Sequence, residues 1–333
     1  MPPSFRQINY SLRPAKAIER RMLSEMFRRL HPFQRIETYR YVGFGSIYFS
    51  DFMIFHRDLG IENMLSLERD TNAKMCFEFN KPYAAIKLQF GESEILLPTL
   101  DWTPRSIVWL DYDRKLTTSV LGDIGTFCNQ ASSGSALVVS VNAQAEPEPN
   151  DEAKKSFEQS TGKAFDSSQY RLSKLEEFIP DRVPMGTDGR SLRKNGVAEV
   201  FYKVIISKIE TVLSGRNTLA KPGDKMRWGQ FAHFRYCDGA LMLSVGIVLY
   251  SDADADTYQM CAFDKLTFSR NGAKSYEIKV PALTSREISH LNSQLPQIAT
   301  GETLKCDGVS DGDIQIYSEI YRYFPNYREV LWT

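Results

Sequence analysis

The chain has 333 residues, 42% of them hydrophobic and 25% charged, the proportions of a soluble globular protein with one core plus an attached module. Its 41 basic residues balance 41 acidic ones, which argues against a bulk electrostatic affinity for nucleic acid. No apolar run approaches the roughly 18 residues of a membrane span, the first residues lack the apolar stretch of a secretory signal, and five scattered cysteines with four histidines make no zinc pattern. The expectation is therefore a cytoplasmic protein with reduced thiols and no metal.

The net charge hides an asymmetry, because residues 1–40 carry nine Lys/Arg against three Glu. That stretch is either a solvated basic face or a surface for anions or nucleic acid. Within it, Ser11-Leu12-Arg13-Pro14 opens a helix, with Ser11 or Arg13 as cap and Pro14 in the first turn; Ile18, Met22, Met26 and Leu30 follow at near-helical spacing. The helix ends near His31-Pro32. Tyr39-Arg40-Tyr41-Val42 reads as a strand running straight into Gly43-Phe44-Gly45-Ser46, and residues 48–56 read as a helix stopped at Leu59-Gly60. His56 sits on an apolar stretch and reads as a satisfied core histidine.

The alternation continues with strands over 63–68, 85–90, 106–111 and 136–141, separated by helical stretches over 71–79 and 117–129. Five strands with helices between them predict right-handed crossovers and a parallel sheet covered on both faces. A proline-rich polar segment, Glu146-Pro147-Glu148-Pro149, precedes an exposed helical region over 151–178 and a long amphipathic helix over 195–213. Two strands over 228–236 and 240–250 are joined by Cys237-Asp238-Gly239, a hairpin signal. Further on, Thr284-Ser285-Arg286-Glu287 is a capping box and Ser310-Asp311-Gly312-Asp313 opens another helix. These helices with a terminal strand-like 328–332 either form a small winged-helix-like module or pack onto the sheet. The expected organisation is a basic helical segment over 1–35, an α/β Rossmann-like domain over 36–265, and a small module over 266–333.

Ligands of open α/β sheets bind beyond the carboxyl ends of the strands, so the residues that follow each strand are the candidates. The first strand delivers Gly43, Gly45 and Ser46, whose small size lets backbone N–H groups approach a ligand. The second ends in Glu68, where a ribose diol would lie, 23 residues beyond Gly45. The third is followed by Gly91-Glu92-Ser93, where an adenine edge would be read. The fourth leads into Asp111-Tyr112-Asp113, at the rim where chemistry would occur.

The run Tyr41-Val42-Gly43-Phe44-Gly45-Ser46 and the strand ends Ser66-Leu67-Glu68 and Trp109-Leu110-Asp111-Tyr112-Asp113 resemble motifs I, II and IV of the class I S-adenosylmethionine (SAM)-dependent methyltransferases. The segment from Ile8 to Lys16, followed by the GFGS turn, also resembles a group of bacterial O-methyltransferases. The resemblance implies a seven-stranded, mostly parallel sheet ending in an antiparallel hairpin, with SAM as cofactor. It further implies that Gly43 and Gly45 line methionine, Glu68 holds the ribose hydroxyls, Glu92 the adenine, and Asp111 the methionine amino group or the acceptor. The chain departs from the pattern at Tyr41, where an acid usually stands, and at Ile47, where a third glycine is common. NAD is disfavoured because Tyr48 replaces the last glycine of G-x-G-x-x-G, and no GK[ST] of a P-loop follows the turn.

In-line methyl transfer mainly needs positioning, with a base only if the acceptor must lose a proton. Asp111 or Asp113 would serve an O–H or N–H acceptor; Tyr112 would either stack on the acceptor or form a wall. Tyr10, Arg13 and Lys16 either fold over the site as a lid or belong to a helix packed elsewhere. Two readings stand: a methyltransferase acting on a hydroxyl or amine, with a nucleic-acid acceptor as one version, and a degenerate SAM-type binding module working in a multiprotein complex, with protein partners met through its C-terminal helices.

Overall fold

The computed structural model describes residues 13–296 and 304–325. Its core is one sheet in the order β3-β2-β1-β4-β5-β7-β6-β8. The strands are β1 (Arg40–Gly43), β2 (Asn63–Glu68), β3 (Ile86–Phe90), β4 (Ser106–Asp111), β5 (Ala136–Asn142), β6 (Met226–Cys237), β7 (Leu241–Ser251) and β8 (Tyr276–Glu277). The first five are parallel; β7 is antiparallel to β5 and to β6. The seven expected strands are all present, and the two-residue β8 adds to the free edge of β6 in parallel register, Phe234 opposite Tyr276.

Period-2 side-chain alternation divides the apolar residues of this sheet into two cores. In β4, Ile107 and Trp109 face one layer while Val108 and Leu110 face the other. The first layer holds α1 (Pro14–Arg28) and α2 (Ser50–Leu59), with Phe27 edge-on to Phe55 at 5.2 Å. The second holds α5 (Thr118–Gln130) and α8 (Gly196–Arg216), whose Ile124, Phe127, Phe201 and Ile205 are fully enclosed. Between them in the chain come α3 (Lys74–Asn80), the single turn α4 (Ser93–Leu96), and α6 (Asp151–Thr161) and α7 (Ser167–Phe178), which Gly162 separates at a left-handed φ of 66°.

Two capping features read from the sequence are present as hydrogen bonds. Thr284 and Glu287 form the reciprocal box at the start of α10 (Ser285–Asn292), and Ser310 caps α11 (Asp311–Ile320); α9 (Ala255–Met260) precedes both. Leu291, Ile314, Tyr317 and Ile320 of these last helices enter the same core as α1, so this segment packs onto the sheet. Arg21 of α1 donates to the carbonyls of Tyr323 and Phe324, and Tyr323 donates from its hydroxyl to Glu25. The strand expected at 328–332 lies outside the described residues. Among the described residues no helix is long and apolar enough to cross a membrane.

Candidate functional site at the strand tips

Strand order reverses direction between β1 and β4, and the crevice outside their carboxyl ends is where such sheets take ligands. One lip is the turn from Gly43 to α2. It contains two non-glycine residues in the left-handed region, Ser46 at φ 47° and Phe49 at φ 45°. Each costs of order 1–3 kcal/mol, and such strain concentrates at ligand sites. Gly45 is needed because a Cβ there would run into the Phe49 ring and approach Ser66 Oγ to 2.7 Å.

Glu68 ties this turn to the tip of β2. Its Oε1 accepts from Gly45 N at 3.0 Å and from Ser66 Oγ at 2.6 Å, and Ser66 Oγ also accepts from Gly45 N at 2.9 Å. The side chain is only 6% exposed, and burial raises its pKa to about 7 against the relief given by these donors. The carboxylate that the sequence assigns to a ribose is therefore built into the glycine turn itself. Glu92, by contrast, is half-exposed beyond β3, with Arg69 Nε 3.7 Å from its Oε1.

The other lip is the tip of β4. Tyr112 is buried, edge-on to Phe44 at 5.1 Å, and donates from its hydroxyl to Asp123 of α5, which also accepts from Ser93 Oγ at 2.6 Å. Its ring thus packs between the β1 turn and α5. Asp113 is exposed.

Asp111 is covered by α1. Lys16 Nζ lies 2.6 Å from Asp111 Oδ1, 2.8 Å from Glu19 Oε2 and 3.0 Å from the Tyr236 hydroxyl, and 4.3 Å from the centroid of the Trp109 ring. The Glu19 carboxylate, fully enclosed, accepts from Ser244 Oγ, which meets Ser140 Oγ at 2.7 Å, and Trp109 Nε1 donates to Ser140 at 2.9 Å. Arg13 is the N-cap residue of α1 but makes no side-chain cap. The cap comes from the β6–β7 turn, where Asp238 accepts from Lys16 N at 2.8 Å and Ala15 N at 3.4 Å. Lys16 and Asp111 are thus brought together, while Tyr10 lies outside the described residues.

A family model described as "Putative O-methyltransferase" matches residues 8–332. The chain belongs to this O-methyltransferase family. Among curated proteins none matches its sequence. Similar solved structures include a LepI variant in complex with SAH and a substrate analogue, at 8% identity and TM-score 0.34 over 64% of this chain and 43% of that one. Others are Trm1 from Pyrococcus horikoshii with S-adenosyl-L-methionine, at 9% and 0.45 over 73% and 57%, and a geranyl diphosphate C-methyltransferase from Streptomyces coelicolor A3(2), at 8% and 0.31 over 64% and 73%. The chain spans about half the length of the first two.

In this O-methyltransferase family member the site also contains residues that sequence reading passed over. Asp51, in the first turn of α2, accepts from the Tyr41 hydroxyl, and burial holds its carboxyl above the usual range against the nearby Arg20 guanidinium. Tyr41, standing where an acid is common, thus ends on a carboxylate held by α2. Asp51, Glu19, Arg20, Asp123 and Tyr236 all sit on helices or strands read as apolar or solvated. For the four charged residues the signal is charge inside otherwise apolar stretches; the uncharged Tyr236 gives none.

Proposed function

We propose that this chain is a SAM-dependent methyltransferase that binds its cofactor across the carboxyl ends of β1 to β4 and methylates a hydroxyl or amine. The observation that carries the reading is Glu68: a buried carboxylate at the tip of β2, held by the backbone of the glycine turn. In this reading Gly43, Gly45 and Ser46 line the methionine moiety, Glu68 accepts from the ribose hydroxyls, and Glu92 reads the adenine edge. Asp111 and Asp113 flank the acceptor. Asp113 is the exposed carboxylate of the two, whereas Asp111 is paired with Lys16 and so faces the site as part of a neutralised pair. Tyr112 shapes the wall, and the first turn of α1, with Arg13 and Lys16, covers the β4 side.

SAM supplies the electrophilic methyl group; the chain's task is to orient the acceptor in line with it and to exclude water. A nucleic-acid acceptor has less support, because Lys16, Arg20 and Arg40 of the basic stretch are buried and Arg21 is spent on backbone carbonyls.

Calorimetry with SAM and S-adenosylhomocysteine tests the reading. Micromolar affinity that falls at least tenfold in Glu68→Ala is the expected result, and undiminished affinity in that variant rejects it. A second reading, binding without transfer, is favoured by the engagement of Asp111 by Lys16. Cofactor binding with no methylation of any hydroxyl or amine acceptor would select it.

A further inference from the structure

Far from the strand tips discussed above, a cavity of about 660 Å³ opens at the outer edge of the sheet, between the start of α8, strands β6 and β8, and α11. β6 stands four strands from β1, about 19 Å away at the usual ~4.8 Å spacing, so this cavity is separate from the methyl-donor crevice. Its volume lies within the range of small-molecule sites. We infer that it is a second binding site, one for a small planar molecule bearing a phosphate or carboxylate.

The anionic part of the assignment rests on charge. Lys203, Arg235, Arg270, Lys274 and Lys279 line the cavity against three carboxylates. Of these carboxylates Glu277 is bonded to Arg235, Nη2 to Oε1 at 2.7 Å, and lies 3.8 Å from Lys279. Lys203 and Lys274 have no carboxylate partner within 4 Å among the described residues, while Arg270 Nη1 donates to the Thr267 and Ser269 carbonyls at 2.9 and 2.7 Å. The Arg235 Nε–H is buried with no hydrogen-bond partner, a donor in the wall that no protein oxygen satisfies.

The planar part rests on the rings. Tyr202 and His233 are stacked at 4.2 Å with their planes 3° apart, and the Arg270 guanidinium lies 5.1 Å from the centroid of Tyr276. His233 is buried behind the half-buried Tyr202 ring, whose other face is the one a flat ligand extends. His233 Nδ1 lies 3.1 Å from the Gly272 carbonyl, which only accepts, so Nδ1 carries the proton. Burial lowers the His233 pKa, which keeps the ring neutral and leaves Nε2 as an acceptor for one N–H or O–H of the ligand. The site thus combines cations, a stacking wall and one acceptor. The inference does not rest on the methyl-donor reading.

The test is a fluorescence titration of the full chain with 1-naphthyl phosphate, with and without saturating S-adenosylhomocysteine, against the uncharged 1-naphthalenemethanol. Saturable binding of the phosphate, unaffected by S-adenosylhomocysteine and at least tenfold tighter than the alcohol, is expected. Lys203→Glu/Lys274→Glu, two exposed positions, reverses the charge and lowers affinity tenfold or more; Ile316→Trp fills the cavity and does the same. Absence of saturable binding below millimolar concentration, equal affinity for the alcohol, or wild-type affinity in either variant overturns the assignment.

Discussion

Lys16 Nζ sits 2.6 Å from Asp111 Oδ1, joining the first turn of the N-terminal helix to the tip of the central strand. The same ammonium is the cation beside Glu19, which is fully enclosed. Removing it leaves a buried carboxylate without its ion-pair partner, a loss of about 3–5 kcal/mol for a buried pair. Lys16→Met is therefore expected to lower the stability measured by denaturant unfolding by that amount. The double variant Lys16→Met/Glu19→Gln should recover much of it, because the stranded charge is gone. A loss under about 1 kcal/mol in the single variant would show that the lysine swings free of the site.

Glu68 gives a pH dependence whose sign is fixed by its environment. Its pKa is raised from 4.5 to about 7 in the folded protein, so the free site is mostly protonated at pH 6 and mostly ionised at pH 8. Ribose hydroxyls donate to the ionised form, so cofactor affinity rises with pH through 7, by about tenfold between pH 6 and 8. The unliganded fold behaves oppositely: a raised folded pKa gives stability that is full below 4.5 and is lost as pH climbs to 7. Glu68→Gln should flatten both profiles and become up to about 3 kcal/mol more stable than wild type at pH 8. Calorimetry and unfolding at the two pH values read this directly, and a pH-independent wild-type affinity would remove Glu68 from the ribose.

Much of this architecture is legible in the sequence because parallel strands buried on both faces leave long Val/Ile/Leu runs such as Ile107-Val108-Trp109-Leu110 between glycine and capping signals. The tips of β1, β2 and β4 follow, since a strand end and its next few residues are local features. What is not local is not legible. The charges of the basic stretch read as either a solvated face or a surface for anions, yet Lys16, Glu19 and Arg20 are buried because α1 lies against the sheet, with partners for Lys16 and Glu19 at 111, 236 and 244. Arg13 stands at the N-cap of α1 without a side-chain cap, which comes instead from Asp238, more than 200 residues away; Ser11 lies outside the described residues. The partner of Tyr112, just past β4, is an acid on helix α5, Asp123, and no local pattern announces that pairing.

The glycine turn predicts a contrast between two glycines of the same protein. Gly45→Ala forces a methyl group against Phe49 and Ser66, in the turn whose N–H serves Glu68. The expected loss is about 1–3 kcal/mol of stability, from overpacking, together with at least a tenfold loss of cofactor affinity. Gly122, inside α5, has nothing within 4 Å of a Cβ position and an ordinary helical backbone. Gly122→Ala should raise stability by roughly 0.5–1 kcal/mol and leave affinity unchanged. Thermal melts of both variants, with and without S-adenosylhomocysteine, make the comparison, and a neutral Gly45→Ala would mean that the turn relaxes away from Ser66.

Tyr112 separates a wall from a catalytic group. Its hydroxyl is committed to Asp123, which also takes Ser93 Oγ, and burial with that carboxylate beside it raises the phenol pKa well above 10, so it does not act as a base near neutrality. Tyr112→Phe keeps the ring against Phe44 and removes only the hydrogen bond, for about 1–2 kcal/mol of stability. Methyl transfer should stay within a few-fold of wild type. Tyr112→Ala removes the ring between the two lips, and both cofactor affinity and turnover should fall tenfold or more. If Tyr112→Phe alone lowered kcat a hundredfold with KM unchanged, the hydroxyl would be a participant in the reaction and the wall assignment would fail.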